Sequence, residues 1–299
     1  TVDTVPPALL DRLEVIQYSG YTLNEKFEIA KRYLLPKTTK TNALKKGQIK
    51  LSDQLLKRII SRYTREAGVR DLERQLNKIM RKSAREILEK NKKTISINNK
   101  KLVDFLGPVI FDETIAEKKD QVGLAAGLAW TSVGGDILFV EVALSPGKGR
   151  IRLTGKLGEV MKESAQAALT YVRSHHQELK IDIEKINNSD IHIHVPEGAV
   201  PKDGPSAGVT ITTAIVSAFK NKAVRRDVAM TGEVTLRGRV LRIGGLKEKA
   251  IAAHRAGSKI VIIPQENERD LIKIPKEVKK DLQFQSVKDV KEVLKIALN

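Results

Sequence analysis

The chain has 299 residues, enough for one large or two ordinary domains, and 41% of them are hydrophobic, enough for a packed core. It has no cysteine, which excludes disulfides, thiolate zinc sites and a cysteine nucleophile and fits a reducing cytoplasm, and no apolar run approaches a membrane span. The net charge of +18 draws the chain towards polyanions, but aromatics are only 4% and do not interleave with basic residues as a single-strand stacking surface requires. Residues 1–7 lack the basic-then-apolar pattern of a signal peptide and read like a cut inside a longer protein.

From Asp11 to about Leu106 the pattern is mostly helical. Leu9, Leu10 and Leu13 begin an apolar face. Thr22-Leu-Asn-Glu25 has the spacing of a capping box opening a helix that runs to Leu35, where Pro36 should end it. Leu55, Leu56, Ile59 and Ile60 give an amphipathic run over 52–66, Gly68 interrupts it, and Leu72, Leu76, Ile79 and Met80 continue at helical spacing over 69–88. A short strand at 95–97 and a helix near Leu102 close this block. The polar, aperiodic stretch 112–121 reads as a linker.

Beyond it strands and helices alternate. Strands are expected at 122–131, 137–144, 150–154, 190–195, 228–231, 260–263 and 282–286, and a pair turning at Gly238 within 234–243. Helices are expected at 157–178, 207–219, 246–256 and 287–298. The mixture predicts an α/β or α+β domain with helices covering a sheet.

The motif Pro201-Lys-Asp-Gly-Pro-Ser-Ala-Gly208 puts Ser206 where a Gly/Pro-rich loop meets an apolar helix. Small neighbours admit a substrate backbone, and the helix start offers N–H groups to an oxyanion. The competing role is a plain helix cap. A serine nucleophile needs a base. His175 and His176 lie on a polar helix, His254 lies on another, and His192 and His194 share a strand face, where they could also be two ligands of a metal site lacking an evident third. Lysine is the other option. In Gly244-Gly-Leu-Lys-Glu-Lys249, helical phase sets Lys249 at the edge of the apolar face and turns Lys247 and Glu248 away. A buried amine has a lowered pKa and can act as a base near neutrality, whereas a snorkelling lysine cannot. Thr231, in Met230-Thr-Gly-Glu233, could hold that amine or be a turn hydroxyl. Gly149 and Gly155 are separated by five residues where a phosphate loop needs four, and Leu157 follows Lys156, so no complete nucleotide-binding loop is present.

Together, Pro196-Glu-Gly198, the Ser206 motif, Met230-Thr-Gly-Glu-Val-Thr-Leu-Arg-Gly238 and Ile243-Gly-Gly-Leu-Lys-Glu-Lys249 resemble the Lon proteases in their bacterial form. Gly127-Leu-Ala-Trp-Thr131 and Val133-Gly-Gly-Asp136 resemble the start of that family's protease domain. The resemblance implies a Ser206–Lys249 catalytic dyad oriented by Thr231. Pro7-Ala-Leu-Leu-Asp-Arg-Leu-Glu14 and Tyr63-Thr-Arg-Glu-Ala-Gly-Val-Arg70 resemble the arginine-finger and sensor-2 segments of its AAA+ module, which implies nucleotide contacts for Arg12 and Arg70. The implied organisation is multidomain: residues 1–15 the tail of a large AAA+ subdomain, 16–110 an all-α small AAA+ subdomain, 111–121 a linker and 122–299 an α/β (α+β) Ser–Lys protease domain.

For the full-length protein the resemblance implies an ATP- and Mg-dependent, cytoplasmic homo-hexamer that degrades unfolded or damaged proteins, with no membrane partner. This chain, without the nucleotide-binding loops, is expected to bind neither ATP nor Mg tightly. A polyanion-binding module, with non-specific DNA as the ligand, is the alternative the charge suggests. One departure from the family is Arg242, where proline commonly precedes Ile-Gly-Gly; it could loosen the approach to the Lys249 helix.

Overall fold

A computed structural model describes residues 5–16, 20–111, 119–131, 134–196 and 202–299. The chain divides into two compact units, residues 1–111 and 112–299. Most of the 111–121 linker, Val133, and Glu197, Gly198 and Pro201 of the motifs lie outside the described residues.

In the first unit α1 (Pro7–Leu10) is one turn, and Leu9 and Leu13 are each 51% exposed, so the apolar face read there packs on little of the unit. The capping box forms: Thr22 Oγ1 accepts from Glu25 N at 3.2 Å and Glu25 Oε2 accepts from Thr22 N at 2.8 Å, opening α2 (Leu23–Ile29). Pro36 does not end the helix. Ala30–Leu34 forms a π-helical segment in which Leu35 N donates to Ala30 O, and α3 (Leu35–Thr41) then carries Pro36 in its first turn. The re-phased ladder puts the proline where no N–H is needed.

Helix α4 (Asp53–Tyr63) is capped by Ser52, α5 (Arg70–Glu89) follows, and Asn98 caps α6 (Asn99–Leu106). Their inward faces, with Phe27, Leu56, Ile59, Tyr63, Leu72, Leu76, Ile79 and Leu102, form one core. The unit is not entirely helical: β1 (Ile49–Lys50) pairs in parallel with β2 (Ile95–Ser96). Two residues are too few to show the alternation that marks a strand, so β2 lacked a visible partner.

The second unit is built on a seven-stranded sheet. In chain order its strands are β3 (Leu124–Thr131), β4 (Gly134–Pro146), β5 (Ile151–Thr154), β6 (Ser189–His194), β7 (Val228–Met230), β10 (Ile260–Pro264) and β11 (Gln283–Val287), with β8 (Glu233–Val234) and β9 (Val240–Leu241) as a separate hairpin. The spatial order is β11-β10-β7-β3-β4-β6-β5. β3–β4 and β4–β6 are antiparallel and the other neighbours parallel.

Strand alternation sends Val228, Met230, Ile260 and Ile262 to one face, under α7 (Glu159–Ser174), α8 (Ile183–Asn187), α9 (Gly208–Lys220) and α12 (Val290–Ala297). Ala229, Val261 and Ile263 point to the other face, under α10 (Leu246–Arg255) and α11 (Lys276–Asp281). The sheet is thus the middle of three layers, as an α/β arrangement requires. The 3-10 segment Gln265–Lys273 and helices α8 and α11 carried no signal in the sequence, being short and heavily charged. α7 stops at Ser174, four residues before the expected end, and α12 starts at Val290 because β11 extends to Val287 and Asp289 caps the helix.

Candidate active site

Ser206 lies in a single 3-10 turn, Pro205–Ala207, that leads into α9 on one face of the sheet. The cap positions of the turn and the helix belong to Gly204 and Ala207, neither makes a side-chain cap bond, and the Ser206 hydroxyl points elsewhere. Ser206 O accepts from Gly232 N at 2.9 Å and from Thr231 Oγ1 at 3.3 Å, and Val209 N donates to Gly232 O at 3.1 Å. This stitching brings the turn hard against the segment after β7. Gly208 permits it, since a Cβ there would stand 2.9 Å from Val234 N.

Lys249 comes from the opposite face. It sits one turn into α10, whose apolar side, Leu246, Ala250 and Ala253, packs on the sheet. The helix is entered through Gly245 at φ +66°, a conformation that disfavours any side chain, and an added Cβ would stand 2.9 Å from the Trp130 ring. The side chain passes the end of β7, and Nζ reaches 3.0 Å from Ser206 Oγ and 3.0 Å from Thr231 Oγ1. Thr231 is fully buried and its N–H donates to Ile262 O at 3.1 Å, so its hydroxyl is fixed by the sheet. That hydroxyl gives its proton to Ser206 O and keeps a lone pair for the amine.

Lys249 is 3% exposed, and among the described residues it forms no ion pair. Burial penalises the ammonium and lowers its pKa to about 8. A snorkelling lysine is therefore excluded. The hydroxyl and amine open on a cleft of about 360 Å³ whose walls include Trp130, Phe139, Met161, Lys202 and Arg242.

Two supports were not read from the sequence as functional. Asp203, inside the Ser206 motif, accepts from Met161 N at 3.0 Å and Gly204 N at 2.8 Å, pinning the loop before Ser206 to the start of α7. Asn267, fully buried, accepts from Ile243 N at 3.0 Å and donates to Ile243 O at 2.9 Å and Asp270 Oδ2 at 2.9 Å, which locks the approach to α10. Arg242 joins this network through Asp270 at 3.3 Å.

His192 Nε2 and His194 Nδ1 both meet Thr154 Oγ1, at 2.8 and 2.7 Å, and His175 stacks on Tyr171. His254 pairs with Asp281. Among the described residues no group of three His, Cys, Asp or Glu side chains is set to hold a metal ion. Arg12 and Arg70 belong to the first unit: Arg12 lies exposed in the turn after α1, and Arg70 is the exposed first residue of α5.

A desolvated amine in contact with a hydroxyl, beside an open cleft, is chemically equipped for acyl transfer. Comparison with known proteins gives the lineage. Residues 96–299 match the Lon protease (S16) C-terminal proteolytic domain, and residues 40–95 the Lon protease AAA+ ATPase lid domain. The chain is 57% identical over 295 residues to Lon protease 1 of Bacillus subtilis (strain 168), covering 99% of this chain and 38% of that protein. It is 54% identical over 298 residues to Lon protease 1 of Myxococcus xanthus, covering 100% and 36%. To the Lon protease of Escherichia coli (strain K12) it is 55% identical over 295 residues, covering 98% and 38%. The chain belongs to the Lon protease family, and it spans little more than a third of the length of these relatives. The proteolytic-domain match begins inside the first unit, whose core contains Leu102, Phe105 and Leu106 of α6.

No helix among the described residues is long and apolar enough to cross a membrane.

Proposed function

We propose that this chain is the proteolytic part of an ATP-dependent serine endopeptidase acting on unfolded or damaged proteins, with Ser206 as nucleophile and Lys249 as general base. The observation that carries the reading is the 3.0 Å contact between Lys249 Nζ and Ser206 Oγ inside a buried environment. The neutral amine takes the Ser206 proton as Oγ attacks a peptide carbonyl. Backbone N–H groups beside Ser206 hold the oxyanion, the ammonium returns the proton to the leaving amine, and water then hydrolyses the acyl-enzyme with Lys249 again as base. Thr231 keeps the amine aimed. β3 pairs with β7 at Ala126 and Gly127, and Ala129, Trp130 and Thr131 beyond them line the cleft. That strand edge suits main-chain pairing with an extended peptide of any sequence, as an unfolded substrate requires.

Residues 1–15, 16–110, 111–121 and 122–299 are assigned as the tail of the large AAA+ subdomain, the small AAA+ subdomain, the linker and the protease domain of a cytoplasmic hexamer. ATP and Mg act in the full-length protein. In this chain Arg12 and Arg70 would offer only guanidinium contacts to phosphate. The second and third N–H groups of α5, from Asp71 and Leu72, are already taken by the Glu66 carboxylate at 2.9 and 2.8 Å and are not free for a phosphate.

Ser206→Ala and Lys249→Ala should each abolish cleavage of an unfolded protein or fluorogenic peptide while leaving the circular dichroism spectrum unchanged. Activity retained in either variant ends the dyad assignment. The net charge of +18 supports a second role in binding DNA without sequence preference. Its affinity should fall steeply with added salt, and no binding to duplex at low salt would remove it.

A further inference from the structure

The charged groups that line the cleft differ in how far their charge is answered. Asp136 is paired with Arg255 at 3.2 Å. Asp203 accepts the two backbone N–H groups at the start of α7 and the Ser206 loop. Lys202 Nζ reaches back to Gly155 O at 3.5 Å. Arg242 is different. Its partner Asp270, with a side chain only 12% exposed, is shared with Lys273, which holds the other carboxylate oxygen at 2.9 Å. One carboxylate thus stands against two cations, and Asn267 Nδ2 takes a further share of it.

The Arg242 side chain remains 45% exposed on the cleft wall, and among the described residues its bond to Asp270 uses one of its five N–H donors. Its backbone is fixed, since Ile243 is bonded through both N and O to buried Asn267. A half-exposed guanidinium with surplus positive charge, on a backbone held in place at the cleft wall, is suited to a carboxylate.

We propose that Arg242 forms a subsite for an acidic side chain, Asp or Glu, of the peptide bound in the cleft. This inference rests on the reading that the cleft presents a peptide to Ser206. It makes Arg242 a specificity determinant and leaves the bond-breaking steps to the dyad. Peptides carrying a carboxylate near the scissile bond should be held better than their amide counterparts, and the preference should weaken with salt.

The test uses the whole chain and two readouts. Fluorescent peptides identical but for Glu, Gln or Lys at each position flanking the cleavage site are bound to the Ser206→Ala protein, and the same peptides are cleaved by the unsubstituted protein. At one position Glu should outdo Gln by about three- to tenfold in affinity and in kcat/KM, the range of a partly screened ion pair in a cleft. Arg242→Gln should bring that ratio to about one, and Arg242→Glu should reverse it in favour of Lys. An equal Glu/Gln ratio in the unsubstituted and Arg242→Gln proteins at every position overturns the proposal. So does a failure of Ser206→Ala to bind any of the peptides, which removes the substrate cleft as well. If Ser206→Ala still cleaves, the dyad falls, but the binding ratios continue to decide the role of Arg242.

Discussion

In the proposed dyad Lys249 is the residue on which the chemistry turns, and its burial has consequences with opposite signs. Deprotonation is needed for it to act as base. With a pKa of about 8, kcat/KM for peptide cleavage should rise roughly tenfold per pH unit below 8 and level off above it, as a pH profile will show. For stability the same burial is a cost. The folded-state pKa is lowered from the ordinary 10.5, so the penalty is fully present below about pH 8 and fades as pH rises towards 10.5. Lys249→Met should therefore be inactive yet melt higher at pH 7, and its advantage should shrink between pH 8 and 10.5. A lower melting temperature for Lys249→Met at pH 7 would contradict a desolvated amine. In the same proposal Thr231 acts through Lys249. Thr231→Val removes the acceptor 3.0 Å from Nζ while keeping the shape, and kcat should fall by about ten- to a hundredfold with KM little changed.

At the scale of elements, two helices from opposite faces of one sheet must meet past the end of a strand. On the serine side the tolerance is small. Gly208→Ala places a Cβ against the Val234 backbone, which cannot swing aside as a flexible side chain can. It should cost about 1–3 kcal/mol in chemical denaturation and reduce cleavage as the Ser206 turn is pushed out. On the lysine side the buried Asn267 network sets the entry to α10. The helix boundaries around the site were largely legible, because α9 is rich in small and apolar residues and α10 follows two glycines. Less legible was Pro36, whose ring reads as a stop in the sequence yet sits in a first turn created by a π segment. A hydrogen-bond re-phasing of that kind leaves no mark in hydrophobic periodicity.

For the whole molecule, each unit has its own core and should answer separately to substitution. Leu72 is fully buried among helices of the first unit. Leu72→Ala should cost that unit about 2–5 kcal/mol, and scanning calorimetry should show its transition moving to lower temperature while that of the second unit stays.

The sequence alone determined much of this protein's character. Small residues around Ser206, the helical phase of Lys249, and alternating apolar strands are local properties, carried by neighbours in the chain and by backbone preference. They were enough to make both residues candidates and to give the α/β class, while the pairing itself was implied by the family resemblance. Whether Ser206 was a cap or Lys249 a snorkelling side chain could not be decided that way. The two residues are separated by 43 positions and start from opposite sides of a sheet, so their contact exists only once both helices are packed. Tertiary packing likewise turned Asp203 and Asn267 into struts, and Arg242 into part of the cleft wall. A side chain's neighbours across the fold, and the water they displace, follow from how the layers close.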